Sequence, residues 1–399
     1  MTKTFANLLK ASFYLCLLIL MQDVSSPRVL AQTGFTRQVI ITPQTPGTCG
    51  FENPTTMLIQ GNRLFVGQQN GKIHIFTLDA KLNVTAVKCI DTIYNYGPPN
   101  PRLLTGMTFG PYFAVDSTDS IGPDLYVSHS DGHFYDPSID PNSGTVTKLL
   151  APNYQTGVDI VKGLPRSKGD HAPNGLVLGP DGFLYLAIGG NTNAGLPSDF
   201  FLNWPEVPKG AAILKIDYSG AVSTYATGFR NPYDMVWHTN GQLYVNDNGA
   251  NAGFGNAPDP TTCGAPGYDP GDQPDELNRI EVNRYYGHPN PSRGECIFNG
   301  GQNYFPPIYT YGLHTSSDGI TEYTDSLIPG FQGNLFTANW ASGDVIRLQL
   351  SADGKTVKSG GVFASGFGNP IDVVVNSDTF FIAEHGPHQV TVLRWIHTH

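Results

Sequence analysis

Positive charge is scarce in this chain: 23 Lys and Arg stand against 33 Asp and Glu among 399 residues, and only 14% of the residues are charged. That balance excludes a nucleic-acid surface or a polybasic membrane patch as the main business of the protein and points to small or neutral partners. Cysteine is sparse as well, five in all, with no CxxC pair and no Cys/His spacing of a zinc site. There is no P-loop, nucleophile elbow or dinucleotide fingerprint. Gly189-Gly190 end a strand-like run with no helix after them, which disfavours nicotinamide and ATP chemistry. No helix longer than a turn or two is signalled. No apolar run reaches the roughly 20 residues of a spanning helix.

What the chain does have is punctuation, 46 Gly and 31 Pro, far too much for a helical bundle. Lys3 and Lys10 flank the start of an apolar stretch from Leu8 to Met21, and Val29-Leu30-Ala31 follows. Residues 1–31 are expected to be a removed secretory signal, which places the protein outside the cytoplasm, secreted or periplasmic. Residues 32–399 are expected to form one domain. Cys16 falls in the leader, leaving Cys49, Cys89, Cys263 and Cys296. Four cysteines allow three pairings. Cys49 with Cys89 and Cys263 with Cys296 are favoured because each pair brackets a local segment.

A repeat organises the rest. Tyr225-Ala-Thr-Gly-Phe-Arg-Asn-Pro-Tyr-Asp-Met-Val-Trp237 returns as Phe363-Ala-Ser-Gly-Phe-Gly-Asn-Pro-Ile-Asp-Val-Val-Val375, 138 residues later. Each copy is followed by a polar turn and a second apolar run, the pattern of strand, hairpin and strand. Weaker copies give six reference positions, 56, 106, 175, 234, 319 and 372. Four-stranded units that cannot bury both faces alone would stack around an axis, so the fold class is all-β, a six-bladed β-propeller. Phe35 to Thr42 is expected to close the ring by completing the last sheet beside Val390 to Arg394.

Residues at equal offsets before each innermost strand should meet at one mouth of the central channel. Four before the reference positions stand Glu52, Arg102, His171, Arg230, Thr315 and Gly368. One later stand Asn53, Leu103, Ala172, Asn231, Ser316 and Asn369. His171 is the member of the first ring able to exchange a proton near neutral pH, Arg230 and Arg102 can stabilise negative charge, and Asp170 can fix the tautomer of its neighbour. His171 is also a candidate for a plain turn residue bonded to backbone. Asn246 to Asn251 and Asp269 to Glu276 supply carboxylates, amides and turn carbonyls, which suit Ca²⁺ better than zinc or copper, or else form a solvated acidic loop.

The motifs Lys168-Gly-Asp-His-Ala-Pro-Asn-Gly175, Gly228-Phe-Arg-Asn-Pro232, Asn248-Gly249, Asp275-Glu-Leu-Asn278 and Tyr286-Gly-His-Pro-Asn290 resemble, in this order, the soluble glucose/sorbosone dehydrogenases. Those are six-bladed propellers that use pyrroloquinoline quinone (PQQ) and Ca²⁺, and the Tyr-Gly-His-Pro-Asn form looks closest to their pyranose-dehydrogenase-like branch. The resemblance implies a PQQ- and Ca²⁺-dependent sugar dehydrogenase that passes electrons to a soluble acceptor. It implies His171 as the base for a sugar hydroxyl, Asp170 as its orienting partner, and Arg230, Asn231 and Asn248 as cofactor contacts. The carbonyls of Gly249 and Ala250 would hold the ion. Where glucose-oxidising members place a Lys and two Arg on the cofactor's carboxylates, this chain has Ala341, Asn369 and Ile371. Arg102, His288 and His314 are the candidate replacements. Two other functions remain open: a cofactor-free propeller that binds a glycan or a protein at the channel mouth, and a Ca²⁺-dependent lactone hydrolase.

Overall fold

The computed structural model describes residues 33–99, 101–111 and 123–397. The proposed signal, with Cys16, lies outside them. Six four-stranded antiparallel sheets and one two-stranded hairpin account for the strands, and no α-helix occurs among the described residues. None of these residues forms a helix long and apolar enough to cross a membrane.

Each sheet is one blade, and the innermost strands begin at Pro54 (blade 1), Arg102 (blade 2), Pro173 (blade 3), Pro232 (blade 4), Ser317 (blade 5) and Pro370 (blade 6). All six reference positions fall inside these strands. The pattern Leu-Tyr-Val-Ser-His-Ser-Asp of Leu125–Asp131 is buried along its whole length, as a strand sandwiched between two neighbouring blades must be. Turns are short where the chain permits: Gln60 pairs with Arg63, and Gly61 takes the positive φ of 59° that this two-residue hairpin requires.

Apolar packing follows the ring, with one cluster for each of the six interfaces. Between blades 5 and 6 it is rich in aromatic rings: Phe336 and Phe380 lie 4.6 Å apart, with Phe331, Phe363 and Tyr323 around them. Phe35 enters the same cluster from the N-terminal strand, Phe35–Ile41, which pairs antiparallel with Gln389–Trp395 and closes blade 6 as expected. The ends of the chain are thereby locked to each other. Both expected disulfides, Cys49–Cys89 and Cys263–Cys296, are present.

Hydrogen bonds between neighbouring blades fix them around the axis. Thr55 Oγ1 donates to Leu104 O at 2.6 Å, Asn174 Nδ2 to Pro232 O at 2.9 Å, and Asn246 Nδ2 to Asp318 O at 2.8 Å. Asp234 accepts from Ile320 N and Asp372 from Met57 N, so each carboxylate ties its blade to the next. Gly175 and Gly319 face these two aspartates so closely that any Cβ would collide with them. The Tyr233 hydroxyl crosses from blade 4 to Thr55 O of blade 1 at 3.3 Å.

Candidate active site

One mouth of the channel opens into a 570 Å³ cavity. The six residues that stand one before each reference position, Thr55, Thr105, Asn174, Tyr233, Asp318 and Ile371, all line it. So do Leu103, Asn231 and Ser316, which stand three before. This is the two-residue alternation of a strand: side chains one and three positions back share a face, and those four back belong to the other. None of Glu52, Arg102, His171, Arg230, Thr315 or Gly368 lines the cavity. The expected ring is therefore corrected by one residue.

Arg102 shows the consequence most plainly and is not a cofactor contact. It is 1% exposed and turns into blade 2, where its guanidinium donates to His129 Nδ1 and to Ser143 O, and lies 4.8 Å from the centre of the Tyr96 ring. Its neighbour Leu103 takes the place at the mouth. His314 is also elsewhere, half-exposed between Asn251 and Asp272. Glu52 lies on the surface, bonded to Asn70.

His171 and Arg230 sit just behind the wall. The loop that leads into blade 3 carries His171 inward, 1% exposed, with Nδ1 2.8 Å from the carbonyl of Gly190 and the ring 4.9 Å from Phe201. A carbonyl only accepts, so Nδ1 carries the hydrogen and Nε2 keeps its lone pair. Burial, with Arg230 adding to it, pushes the imidazole down to about 4, and it is neutral at physiological pH. Asp170 Oδ1 is 3.7 Å from that Nε2, on the mouth side. Desolvation of Asp170 is outweighed by His171, Arg230 and the hydroxyl of Tyr135, and its carboxylate stays below the ordinary range.

The lead-in to blade 4 is clamped by one carboxylate: Asp247 accepts from Arg230 N at 3.0 Å and Asn231 N at 2.8 Å. That clamp sets two side chains. Arg230 Nε donates to Asn193 Oδ1 at 3.2 Å, while Asn231 Oδ1 accepts from Asn174 Nδ2 at 2.9 Å on the cavity wall. Asn248 follows at the end of the next strand, its amide fixed by Ser317 N and by Asp318 Oδ1. Buried Asp318 lines the mouth, and desolvation, with Asp275 and Asp234 near it, pushes its carboxyl well above the usual carboxylate range despite the Asn248 bond.

A second, smaller cavity of 20 Å³ lies beside Arg230, Asn248, Gly249 and Ala250, bounded further by Asp247, Glu276, Gln273 and His288. It has room for about one water or one ion. Its walls are rich in oxygen donors, although the Ala250 carbonyl also accepts from Gln273 N at 2.7 Å. His288 is buried here, Nε2 3.2 Å from Glu206 Oε1, with no partner on Nδ1.

Sequence reading missed Tyr135, Phe201, Glu206 and Asp318. The first three come from loops outside the repeat. Asp318 was detectable, since it holds the same register position as Asn174 and Tyr233.

A family model described as glucose/sorbosone dehydrogenase matches residues 51–394. Among solved structures, the PQQ-bound aldose sugar dehydrogenase of Streptomyces coelicolor is similar at 18% identity and a TM-score of 0.62, over 91% of this chain and 99% of that one. The soluble aldose sugar dehydrogenase of Escherichia coli, in its apo form, matches at 14% identity and 0.62, over 90% and 99%. The holo PQQ domain of pyranose dehydrogenase from Coprinopsis cinerea matches at 13% and 0.62, over 94% and 99%. No curated protein matches. These likenesses establish the propeller, and the family match, spanning most of the sequence, places this chain in the glucose/sorbosone dehydrogenase family.

Proposed function

We propose that the protein is a sugar dehydrogenase that uses PQQ and Ca²⁺, exported from the cytoplasm, acting on a sugar hydroxyl next to the ring oxygen or carbonyl carbon and delivering electrons to a soluble acceptor. The observation that carries this is His171: a neutral imidazole, locked in one tautomer by Gly190 O, with its free Nε2 beside a carboxylate at the mouth. A base of this kind needs a proton donor, and the mouth is where one can sit.

The residues present fit the quinone end of the cofactor. Arg230, Asn231 and Asn248 would hold it, and the oxygen-lined cavity beside Gly249 and Ala250 would take the ion. When bound, the quinone supplies the hydride acceptor and the ion polarises it. The protein's own part begins with substrate orientation by the amides and hydroxyls of the mouth. His171 Nε2 then takes the hydroxyl proton, and Asp170 stabilises the imidazolium that results. Phe201 keeps bulk water off the ring. The test is reconstitution of the purified protein with PQQ and Ca²⁺: dye reduction on a sugar panel is expected. Absence of both cofactor absorbance and dye reduction rejects the proposal.

One observation favours a second reading. No Lys or Arg is among the described residues that line the mouth, and Ile371 stands where glucose-oxidising members carry a cation for the cofactor's carboxylates. A propeller that binds a glycan there without any cofactor would give a sugar-dependent thermal shift with no turnover.

A further inference from the structure

The aromatic wall of the mouth does not stop at its rim. Phe134 and Tyr135 line the mouth. The Tyr135 ring lies 5.1 Å from Phe200, and Phe200 meets Phe254 edge-on at 4.3 Å. Phe200 and Phe254 in turn line a separate 490 Å³ cavity with Ser198, Asp199 and Asn256. Phe134 and Phe200 are 36% and 37% exposed, large apolar faces left in water.

The second cavity is built rather than incidental. Ser198 Oγ donates to Phe254 O at 2.7 Å and Leu196 N to Asn256 O at 3.0 Å, which joins the two loops that form its sides. Its far wall is the hairpin of Ala257–Asp259 and Gly264–Tyr268, anchored to the loop at Cys296 by the Cys263 disulfide. A groove braced in this way loses little freedom when a ligand enters.

We propose that the mouth and this cavity are consecutive subsites of one groove for an oligosaccharide, with the ring to be oxidised in the mouth and the following rings over Phe200 and Phe254. Flat aromatic faces interleaved with hydroxyls, amides and carboxylates, and no Lys or Arg among the described lining residues of either cavity, match a neutral polyhydroxylated chain. An anionic polymer has no counter-charge here. The assignment rests on the dehydrogenase reading for the chemistry at the first ring, and on the groove alone for the binding of the rest.

Calorimetric titration of the full protein with linear glucan, xylan, mannan and galactan oligomers, each from monomer to pentamer, tests it. In at least one series the oligomers are expected to bind about tenfold more tightly than the monomer, the order of one or two aromatic contacts. Phe200→Ala and Phe254→Ala should remove that gain with the monomer's Kd unchanged within about twofold, and Phe200→Tyr should keep it. No gain with length in any series, or a gain that survives both alanine variants, overturns the proposal. Dye reduction on the monosaccharide, measured in parallel with PQQ and Ca²⁺, separates the two readings. Monomer turnover without a length effect sinks only the groove, while a length effect without any turnover sinks only the dehydrogenase.

Discussion

The Asp170 carboxylate lies 3.7 Å from His171 Nε2, and the Tyr135 hydroxyl helps to hold that carboxylate in its charged form. Three residues from two loops thus form a chain that ends on the base. Tyr135 sits at a positive φ of 51°, a conformation that non-glycine residues rarely hold, so its surroundings fix it there. It is a positioning residue: Tyr135→Phe should lower kcat by about tenfold with little change in KM, because only the hydroxyl that supports the Asp170 charge is lost. Stopped-flow kinetics with the reconstituted protein would show this. A rise in KM with unchanged kcat would assign Tyr135 to sugar contact instead.

Removal of the base itself should be far more costly. His171→Ala is expected to bind PQQ with affinity close to wild type, since Arg230, Asn231 and Asn248 remain, yet to lose turnover by about a hundredfold or more. Calorimetry and steady-state rates together decide it. The pH profile carries a second signature. Because burial and Arg230 hold the imidazole down to about 4, Nε2 stays unprotonated throughout the neutral range. Activity should therefore persist on the acid side until pH approaches 4, rather than fall from about 6.5 as an ordinary histidine would require. A midpoint near 6.5 would show that the imidazole is open to solvent.

Much of this was legible in the sequence because the repeat is written into every blade. Asn231 and Asn369, 138 residues apart, mark equivalent starts of inner strands, and the β-branched segment from Phe35 was readable as the closing strand. The error lay in parity. Weak copies such as the one starting at Gly106 fix a strand to within a residue, but a slip of one residue turns a side chain to the opposite face, and so Arg102 was placed at the mouth where Leu103 stands. Tyr135, Phe201 and Glu206 were not legible at all. They reach the site from long connections whose paths are set by contacts across blades, such as the Tyr135 ring 5.1 Å from Phe200, and not by any local pattern.

The buried pair that displaced Arg102 from the mouth should govern acid stability. His129 is fully buried, its Nδ1 3.0 Å from Arg102 Nε and its Nε2 2.8 Å from Thr147 Oγ1. Burial first, and then the guanidinium, hold it well below the usual histidine range. In the unfolded chain the same imidazole takes a proton below about pH 6.5. The unfolded state then binds more protons than the fold, and stability declines as pH drops from there. Thermal melts of wild type should fall between pH 6.5 and 5 more steeply than those of His129→Gln, which has no proton to gain. Parallel slopes would remove His129 from the account.

Closure of the ring makes the last prediction. Phe35 is 6% exposed, packs edge-on against Phe363 at 5.2 Å and Trp395 at 5.1 Å, and is the residue through which the first strand enters the aromatic core between blades 5 and 6. Phe35→Ala should cost about 3 to 5 kcal/mol by deleting a buried ring from a core with no neighbour free to fill the space. The damage should begin locally, because the strand that carries Phe35 holds the sheet through one partner, Gln389–Trp395. Hydrogen exchange is the discriminating measurement. In the variant the amides of Phe35–Ile41 and Gln389–Trp395 should lose protection before those of blades 2 and 3. Uniform loss of protection around the ring would show that closure is shared by all six interfaces, with no weak point where the two chain ends meet.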